Sequence, residues 1–593
     1  MSLNKELADL FAQMALLLEL RGENPFKVVA YQKISRLLGE TNVDLKQHVE
    51  QGTLQQLEGI GQSSARIITE YVRTGKSQAL EELAAGVPAG LLPLLQIEGL
   101  GPKTVRLLWT QANVTSADDL KKAIDSGALA GIKGIGPAKI RLMRKGLEAL
   151  ATAGSTPRRA GLGEVLEPAA RLLEQVRAIK GVLRAELAGS LRRRKETIAD
   201  LDIVAAVSDP KTGQAVSDAF VKLPGVKETI VAGPTKASVR LDIGLQADLR
   251  IVPEENFGAA LMYFTGSKDH NVKVRGLAQK KGLTLNEWGL YRLEEYARAT
   301  KKTAEAPPIR PVASRTEEEL YRALDLAYIE PEMREDRGEV EAALEGRLPR
   351  LITLADIRGD LHTHTTASDG TASIEEMARA ALERGYKYLA ITDHSPSSAI
   401  ANGLSVERLK KHIAAIRKAA DRIKGIALLA GSEVDILADG RLDYEDAVLA
   451  ELDIVIASPH TALKQDEKKA TDRLLRAIEH RYVNVIGHPT GRLINGRAGL
   501  PLDMTRIIKA AADAGTALEI NAGWPRLDLN DVNARAAVEG RCMLSINTDA
   551  HGTEDLDNMH FGISVARRAW VSAGQVINCK DLAHLRQWLN ARR

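Results

Sequence analysis

The spacing of apolar residues takes three forms along the chain. Up to about residue 150, apolar positions recur every three or four residues, the stripe of amphipathic helices. From about 163 to 252 a helical pattern over 167–179 precedes alternating or apolar runs at 184–188, 201–207, 237–242 and 247–252, which predict strands. From 357 onward, strand and helix patterns alternate. β-Branched runs at 388–392, 426–430, 452–457, 482–486, 516–520 and 541–546 join 356–362 as seven predicted strands. Helical patterns at 373–384, 406–423, 467–480 and 504–514 lie between them. Repeated strand–helix units imply a parallel sheet, and this many imply a closed barrel. Polar stretches at 153–163 and 301–311 interrupt the pattern and read as connections.

Composition narrows the class. At roughly 100–200 residues per domain, 593 residues make three to five domains. Hydrophobic residues are 44% and charged residues 27%, so general disorder is excluded. Lys plus Arg is 81 against 78 for Asp plus Glu, so any basic surface must be local. Two cysteines, Cys542 and Cys579, suit a reducing compartment, and a cytoplasmic location is expected. No apolar run spans a membrane, and the N-terminus reads as an amphipathic helix rather than a secretion signal. Histidine is uneven: ten of twelve fall from His362 onward, which points to metal chemistry in the back half.

One short pattern recurs in the front: Gly59-Ile60-Gly61, Gly99-Leu100-Gly101 and Gly134-Ile135-Gly136. Gly-apolar-Gly turns the chain tightly between two helices while its middle residue plugs the core. The helix that follows presents free N–H groups to a phosphate. Residues 131–146 add Lys133, Lys139, Arg141, Arg144 and Lys145 with no acid. Each copy alone is also a plain helix-hairpin turn. Together they resemble a helix-hairpin-helix repeat that grips DNA backbone through these six glycines and Lys139.

Farther on, Gly189-Ser190 precedes Arg192, Arg193, Arg194 and Lys195, and then Asp200-Leu201-Asp202. A two-residue period puts both aspartates on one strand face. Asp248 lies in a neighbouring predicted strand, with Asp242 as a competitor. Three carboxylates on adjacent strands suit two divalent ions, one activating an attacking hydroxyl and the other holding a triphosphate. The arginines would neutralise the leaving pyrophosphate.

These residues, with Tyr263-Phe264-Thr265-Gly266-Ser267, Asn271, Arg275 and Asn286-Glu287, resemble family X DNA polymerases, the group of DNA polymerase beta. The resemblance covers residues 1–336. It implies that Asp200, Asp202 and Asp248 are catalytic metal ligands for two Mg²⁺ or Mn²⁺ ions. It implies that Gly189, Ser190 and Arg193 hold the triphosphate, that Tyr263, Phe264 and Gly266 line the sugar site, and that Asn271 faces the base. Two positions depart from the family pattern. Ala199 stands where glycine is usual. Ile67 stands where the Schiff-base lysine would fall, so deoxyribose-phosphate lyase activity is not expected, although Lys33 and Lys76 lie nearby.

In the back half, metal-type residues gather where each predicted strand ends: His362, His364 and Asp369, then His394, Glu433, His460, His488, Asp549 and His551. Strand C-termini of such a barrel converge on one mouth, and His, Asp and Glu suit Zn²⁺, Mn²⁺ or Fe²⁺. His412, His480, His560 and His584 fall on helical patterns and receive no role. Residues from about 356 to 570 resemble the PHP (polymerase and histidinol phosphatase) domain, a distorted (βα)7 barrel. That resemblance implies up to three Mn²⁺ or Zn²⁺ ions and phosphoester hydrolysis. It implies one group of His362, His364, Glu433 and Asp549, a second of Glu433, His460 and His488, and a third of Asp369, His394 and His551. Arg492 and Arg497 are candidates for holding substrate phosphate.

The expected protein is multidomain. It has α-helical helix-hairpin-helix regions (1–80 and 81–152), an α+β nucleotidyltransferase palm (153–245) and a thumb (246–336). A linker (337–355), the barrel (356–575) and a tail (576–593) follow. The expected function is a monomeric gap-filling DNA polymerase that takes primed or gapped duplex DNA and dNTPs and carries a 3′→5′ exonuclease. The alternatives are a polymerase joined to a small-molecule phosphatase and a non-catalytic repair scaffold.

Overall fold

The computed structural model describes residues 3–39, 44–57, 59–95, 97, 100–152, 159–299 and 307–592. Gly99, most of the first expected connection (153–158) and the front of the second (301–306) lie outside the described residues. The chain divides into two compact units, Met1–Arg158 and Arg159–Arg593.

The first unit is helical. Helix Leu3–Arg21 buries Leu7, Phe11, Met14 and Leu18 against Pro25–Gly39. Gly61 and Gly101 lie extended immediately before helices Gln62–Thr74 and Pro102–Ala112, while Gly59 and Gly134 take φ +85° and +95°. The middle residues Ile60, Leu100 and Ile135 are buried, as the Gly-apolar-Gly pattern requires. Ile67, at the position of the family lysine, is also buried, whereas Lys33 and Lys76 are exposed.

The second unit begins with a five-stranded sheet: β1 (Val182–Leu187), β2 (Asp200–Val207), β3 (Val226–Ala232), β4 (Lys236–Leu241) and β5 (Gln246–Pro253). The spatial order is β1-β2-β5-β4-β3, with β2 and β5 parallel and the other pairs antiparallel. The sequence pattern missed β3. It is an edge strand, largely exposed, so it lacks the alternation that one buried face imposes. β5 pairs with β2 over its whole length, so the palm sheet runs on to Pro253, past the expected boundary at 245.

The thumb follows, with helices Phe257–Thr265 and Lys268–Lys280 and a hairpin of Leu283–Asn286 with Gly289–Arg292. The stretch expected as a linker holds helix Glu339–Leu344. Its Glu339 meets His270 of the thumb at 2.7 Å, so it belongs to the thumb core.

The barrel strands are β6 (Gly359–Asp360), β7 (Tyr388–Ile391), β8 (Ala427–Asp435), β9 (Ile454–Ser458), β10 (Val485–Ile486), β11 (Ala517–Asn521) and β12 (Leu544–Asn547). They pair in chain order, all parallel. A bridge between Thr363 and Ala550 joins the first strand's end to the last, with the His364 N–H donating to the Ala550 carbonyl at 2.8 Å. The last segment is a plug rather than a tail. Helix Leu582–Asn590 buries Leu585 and Leu589 against Leu361 and Tyr388.

Palm and barrel are packed together within this unit. Trp524 lies over Gly163 so closely that a Cβ there would come 2.2 Å from the indole. Arg492 pairs with Glu196 of the palm at 2.7 Å and also donates to the Leu527 carbonyl. Arg492 is therefore an interdomain tie rather than the phosphate holder expected from the sequence.

Candidate active sites of the palm and the barrel

Parallel pairing of β2 with β5 sets Asp202 directly opposite Asp248, and Asp200 lies one pleat away on the same face. Burial and two like charges raise the Asp202 carboxyl to about 7. Burial and Asp248 also raise Asp200. Burial acts on Asp248 as well, but its neighbours Ser238, Gln246 and Lys236 outweigh it and hold the carboxyl low. The Lys236 ammonium lies 3.0 Å from Asp248. Three carboxylates crowded this way fit divalent cations, which relieve the mutual repulsion. Asp242 lies in the turn beyond β4, beside Gly225, and takes no part in the trio.

Gly189 covers Asp202. Its φ is +59°, and a Cβ would come 2.1 Å from Asp202 Oδ2. The Ala188 N–H donates to the Asp202 carbonyl at 2.7 Å, which fixes the turn. The Ser190 hydroxyl is buried with no hydrogen-bond partner. Arg192 is absorbed by structure: it forks onto Glu317 at 2.7 and 2.8 Å and reaches the Thr265 hydroxyl at 2.7 Å. Arg193 lies beside Gly266, donating to the Thr265 carbonyl at 2.5 Å and to Glu335 at 3.1 Å. The rings of Tyr263 and Phe264 meet edge to face, with centroids 5.2 Å apart. The Asn271 amide donates to the Tyr263 carbonyl at 2.8 Å. Tyr263, Asn271, Arg275 and Asn286 line one small cavity.

In the barrel, all nine predicted residues converge on the mouth. Three sets place their ligand atoms within 4.8 Å of one another: His362, His364, Glu433 and Asp549; His364, Asp369, His394 and His551; and His394, Glu433 and His460. Glu433 lies within β8, which runs on to Asp435, rather than after a strand ending at 430. Its carboxylate is 2.9 Å from His394 Nδ1, 2.9 Å from His488 Nε2 and 3.1 Å from His460 Nε2. His364 Nε2 is 3.0 Å from Asp549 Oδ1. The grouping differs from the expectation in two respects. His364 also joins the Asp369 set, and His394 takes the place expected of His488 beside His460.

Several buried atoms here have no hydrogen-bond partner: His362 Nε2, both ring nitrogens of His364, His394 Nδ1, His488 Nδ1, Glu433 Oε2 and Asp549 Oδ1. Buried polar atoms are rarely left unpaired. Apart from His488, their residues form the sets whose ligand atoms lie within 4.8 Å of one another, nitrogen and oxygen donors of the kind that bind transition ions. Burial opposes a charged ring, yet Glu433 and Asp369 outweigh it and raise His394 to about 10. Burial and the neighbouring rings of His394 and His551 push His364 down to about 4.

Two carboxylates missed in the sequence orient these rings. Glu519 on β11 takes His362 Nδ1 at 2.8 Å, and Asp435 takes His460 Nδ1 at 2.7 Å. Such partners fix ring orientation and tautomer. The available signal was an acid inside an apolar strand, as in Leu518-Glu519-Ile520. His412 also has a role: its Nε2 meets Asp393 at 2.8 Å, and Asp393 holds the Thr365–Ser368 loop.

A palm bearing three facing carboxylates, a thumb, and a histidine-lined barrel define a two-centre nucleotidyltransferase and phosphoesterase. Family models agree segment by segment: a helix-hairpin-helix domain at 2–77, a helix-hairpin-helix tandem at 91–149, a DNA polymerase beta thumb at 260–335 and a PHP domain at 360–523. The DNA polymerase/3′-5′ exonuclease PolX of Bacillus subtilis (strain 168) is 40% identical over 587 residues, 99% of each chain. The chain belongs to the PolX family, the family X DNA polymerases that carry a PHP domain. A probable phosphatase of Thermoanaerobacter sp. (strain X514) is 29% identical over 251 residues, 40% of this chain and 95% of its own. Another, of Caldanaerobacter subterraneus subsp. tengcongensis, is 34% identical over 183 residues, 30% of this chain and 65% of its own.

Proposed function

We propose that this protein is a DNA-directed DNA polymerase that fills gaps during repair and trims 3′ ends with its barrel. The observation that carries the reading is the pair of separate centres in one chain: the Asp200–Asp202–Asp248 trio and the nine-residue barrel cluster. Two Mg²⁺ or Mn²⁺ ions fit the trio, and up to three Mn²⁺ or Zn²⁺ ions fit the barrel. Bound there, divalent ions neutralise phosphate charge and lower the pKa of the attacking group.

The chain's own residues do the rest. Gly189 admits the triphosphate close to the backbone, and Ser190 and Arg193 hold it. Asp248 faces the primer hydroxyl. Tyr263, Phe264 and Gly266 close on the sugar, where a ribose 2′-hydroxyl would collide. Asn271 faces the base. In the barrel, Glu519 and Asp435 fix the His362 and His460 rings, and Arg497 is the remaining arginine for substrate phosphate. The glycine turns of the first unit, with Lys139, grip the DNA backbone. Lys139 Nζ donates to the Thr104 hydroxyl at 2.9 Å and would exchange that bond for phosphate. The enzyme acts as a monomer in the cytoplasm on primed or gapped duplex DNA and dNTPs. No described helix is long and apolar enough to cross a membrane.

The test is a labelled primer–template in Mg²⁺ or Mn²⁺. The primer lengthens when dNTPs are present and shortens from its 3′ end when they are absent. A primer unchanged in both conditions contradicts the reading.

A further inference from the structure

The loop that follows Gly189-Ser190 is held from outside the palm. Helix Met559–Arg568 of the barrel ends in two arginines, and each takes a carboxylate from the end of the thumb. Arg567 pairs with Glu332 at 2.8 Å and Arg568 with Glu335 at 2.9 Å. Arg193 shares Glu335 with Arg568: its Nε lies 3.1 Å from the same oxygen, Oε1. The same Arg568 nitrogen donates to the Arg193 backbone carbonyl at 2.7 Å. The other Arg568 nitrogen pairs with Asp531 of the barrel at 2.8 Å, and Arg337 reaches that carboxylate at 3.1 Å. Lys195 lies 3.7 Å from Glu335.

The centre of this cluster is nearly dry. The side chains of Arg568, Glu335 and Arg193 are only 3%, 8% and 13% exposed. Arg193, Lys195, Arg337 and Arg568 face two carboxylates, Glu335 and Asp531. Burial, followed by the charge of Arg568, lowers the Lys195 ammonium. Positive groups held close together favour an incoming polyanion. Arg193 uses Nε and one terminal nitrogen on protein; its other terminal nitrogen has no hydrogen bond among the described residues.

We propose that Arg568, acting through Glu335, is a positioning residue for Arg193, so that the barrel sets the polymerase's affinity for the incoming nucleotide triphosphate. This rests on Arg193 as a triphosphate ligand. Arg568 holds the Arg193 backbone and divides the charge of Glu335. Without it, Glu335 is left to Arg193 and Lys195, and Arg193 is drawn from the phosphate onto the carboxylate. The barrel thereby takes part in polymerisation although its own centre lies elsewhere.

The test is single-nucleotide insertion by the full-length protein on a primer with a nuclease-resistant 3′ linkage. Arg568→Ala should raise KM for dNTP about tenfold, the scale of one charge-assisted hydrogen bond, with little change in kcat. Degradation of an ordinary single strand by the same preparation should stay at the wild-type rate. Arg193→Ala should also raise KM, and Arg193→Ala/Arg568→Ala should be no worse than Arg193→Ala alone. If Arg568→Ala unfolds, Arg568→Lys carries the test: it keeps one charge, loses the fork and should give an intermediate KM. An unchanged KM in the folded Arg568 variants, with Arg193→Ala impaired, overturns the proposal and leaves the reading of Arg193 standing. Additive losses in the double variant also overturn it. A wild-type KM for Arg193→Ala itself overturns the role of Arg193 on which both rest.

Discussion

Gly189 lies against Asp202 with no room for a side chain: a Cβ would sit 2.1 Å from Oδ2, at a φ of +59°. Gly189→Ala must therefore shift either the turn proposed to bind phosphate or the Asp202 carboxylate proposed to hold a metal. Extension should fall about a hundredfold, the cost of misplacing reacting groups by about 1 Å. Primer degradation by the barrel should be unaffected. Primer-extension and nuclease assays on one preparation check both outcomes.

Glu519 and Asp435 each hold one ring of the barrel cluster. Glu519→Gln or Asp435→Asn should weaken metal binding about 10–100-fold, because the ring loses its orienting partner. Metal titration monitored by calorimetry measures this, and secondary structure by circular dichroism should be unchanged. Full metal affinity in both variants would reduce these carboxylates to core packing.

His270 is buried between Glu339 at 2.7 Å and the Tyr321 hydroxyl at 2.9 Å. Burial drives its pKa below the ordinary value, with Glu339 opposing. The unfolded chain then binds a proton that the folded thumb refuses. The His270 contribution is complete above the ordinary histidine pKa of about 6.5 and declines as pH falls below it. Thermal melts from pH 7 to pH 5 should therefore show falling stability, and His270→Gln should flatten that slope. An equally steep slope in His270→Gln would place the titration elsewhere.

Ile67 is buried in the core of the first unit, where a Schiff-base lysine would need access to a sugar aldehyde. Borohydride should trap little protein on DNA bearing a 5′-deoxyribose phosphate. Trapping that disappears in Lys33→Ala or Lys76→Ala would give the nucleophile's role to one of those exposed lysines.

Much of this was legible in the residues. The palm aspartates announce themselves by a two-residue period beside apolar partners, and the barrel ligands by recurring at strand ends. Local pattern carries that information because pleat and strand polarity fix which side chains share a face or a rim. What was not legible depended on contacts distant in sequence. β3 is an exposed edge with no buried face to mark it. Arg492 reads as a phosphate holder because Glu196, which takes its guanidinium, lies 296 positions away. The last helix read as a tail because Leu585 and Leu589 meet their core only when the barrel closes. Glu519 and Asp435 were overlooked because an orienting carboxylate has no spacing of its own; the ring that it holds comes from another strand.

The central claim is that one chain carries two independent centres. It is tested most directly by following one labelled primer–template, with and without dNTPs, in Asp248→Ala and Glu433→Ala. Asp248→Ala should lose extension and keep 3′→5′ degradation and DNA binding. Glu433→Ala should do the reverse, and elemental analysis should find it short of at least one transition ion per chain. Extension by Asp248→Ala, or wild-type degradation by Glu433→Ala, would contradict the account.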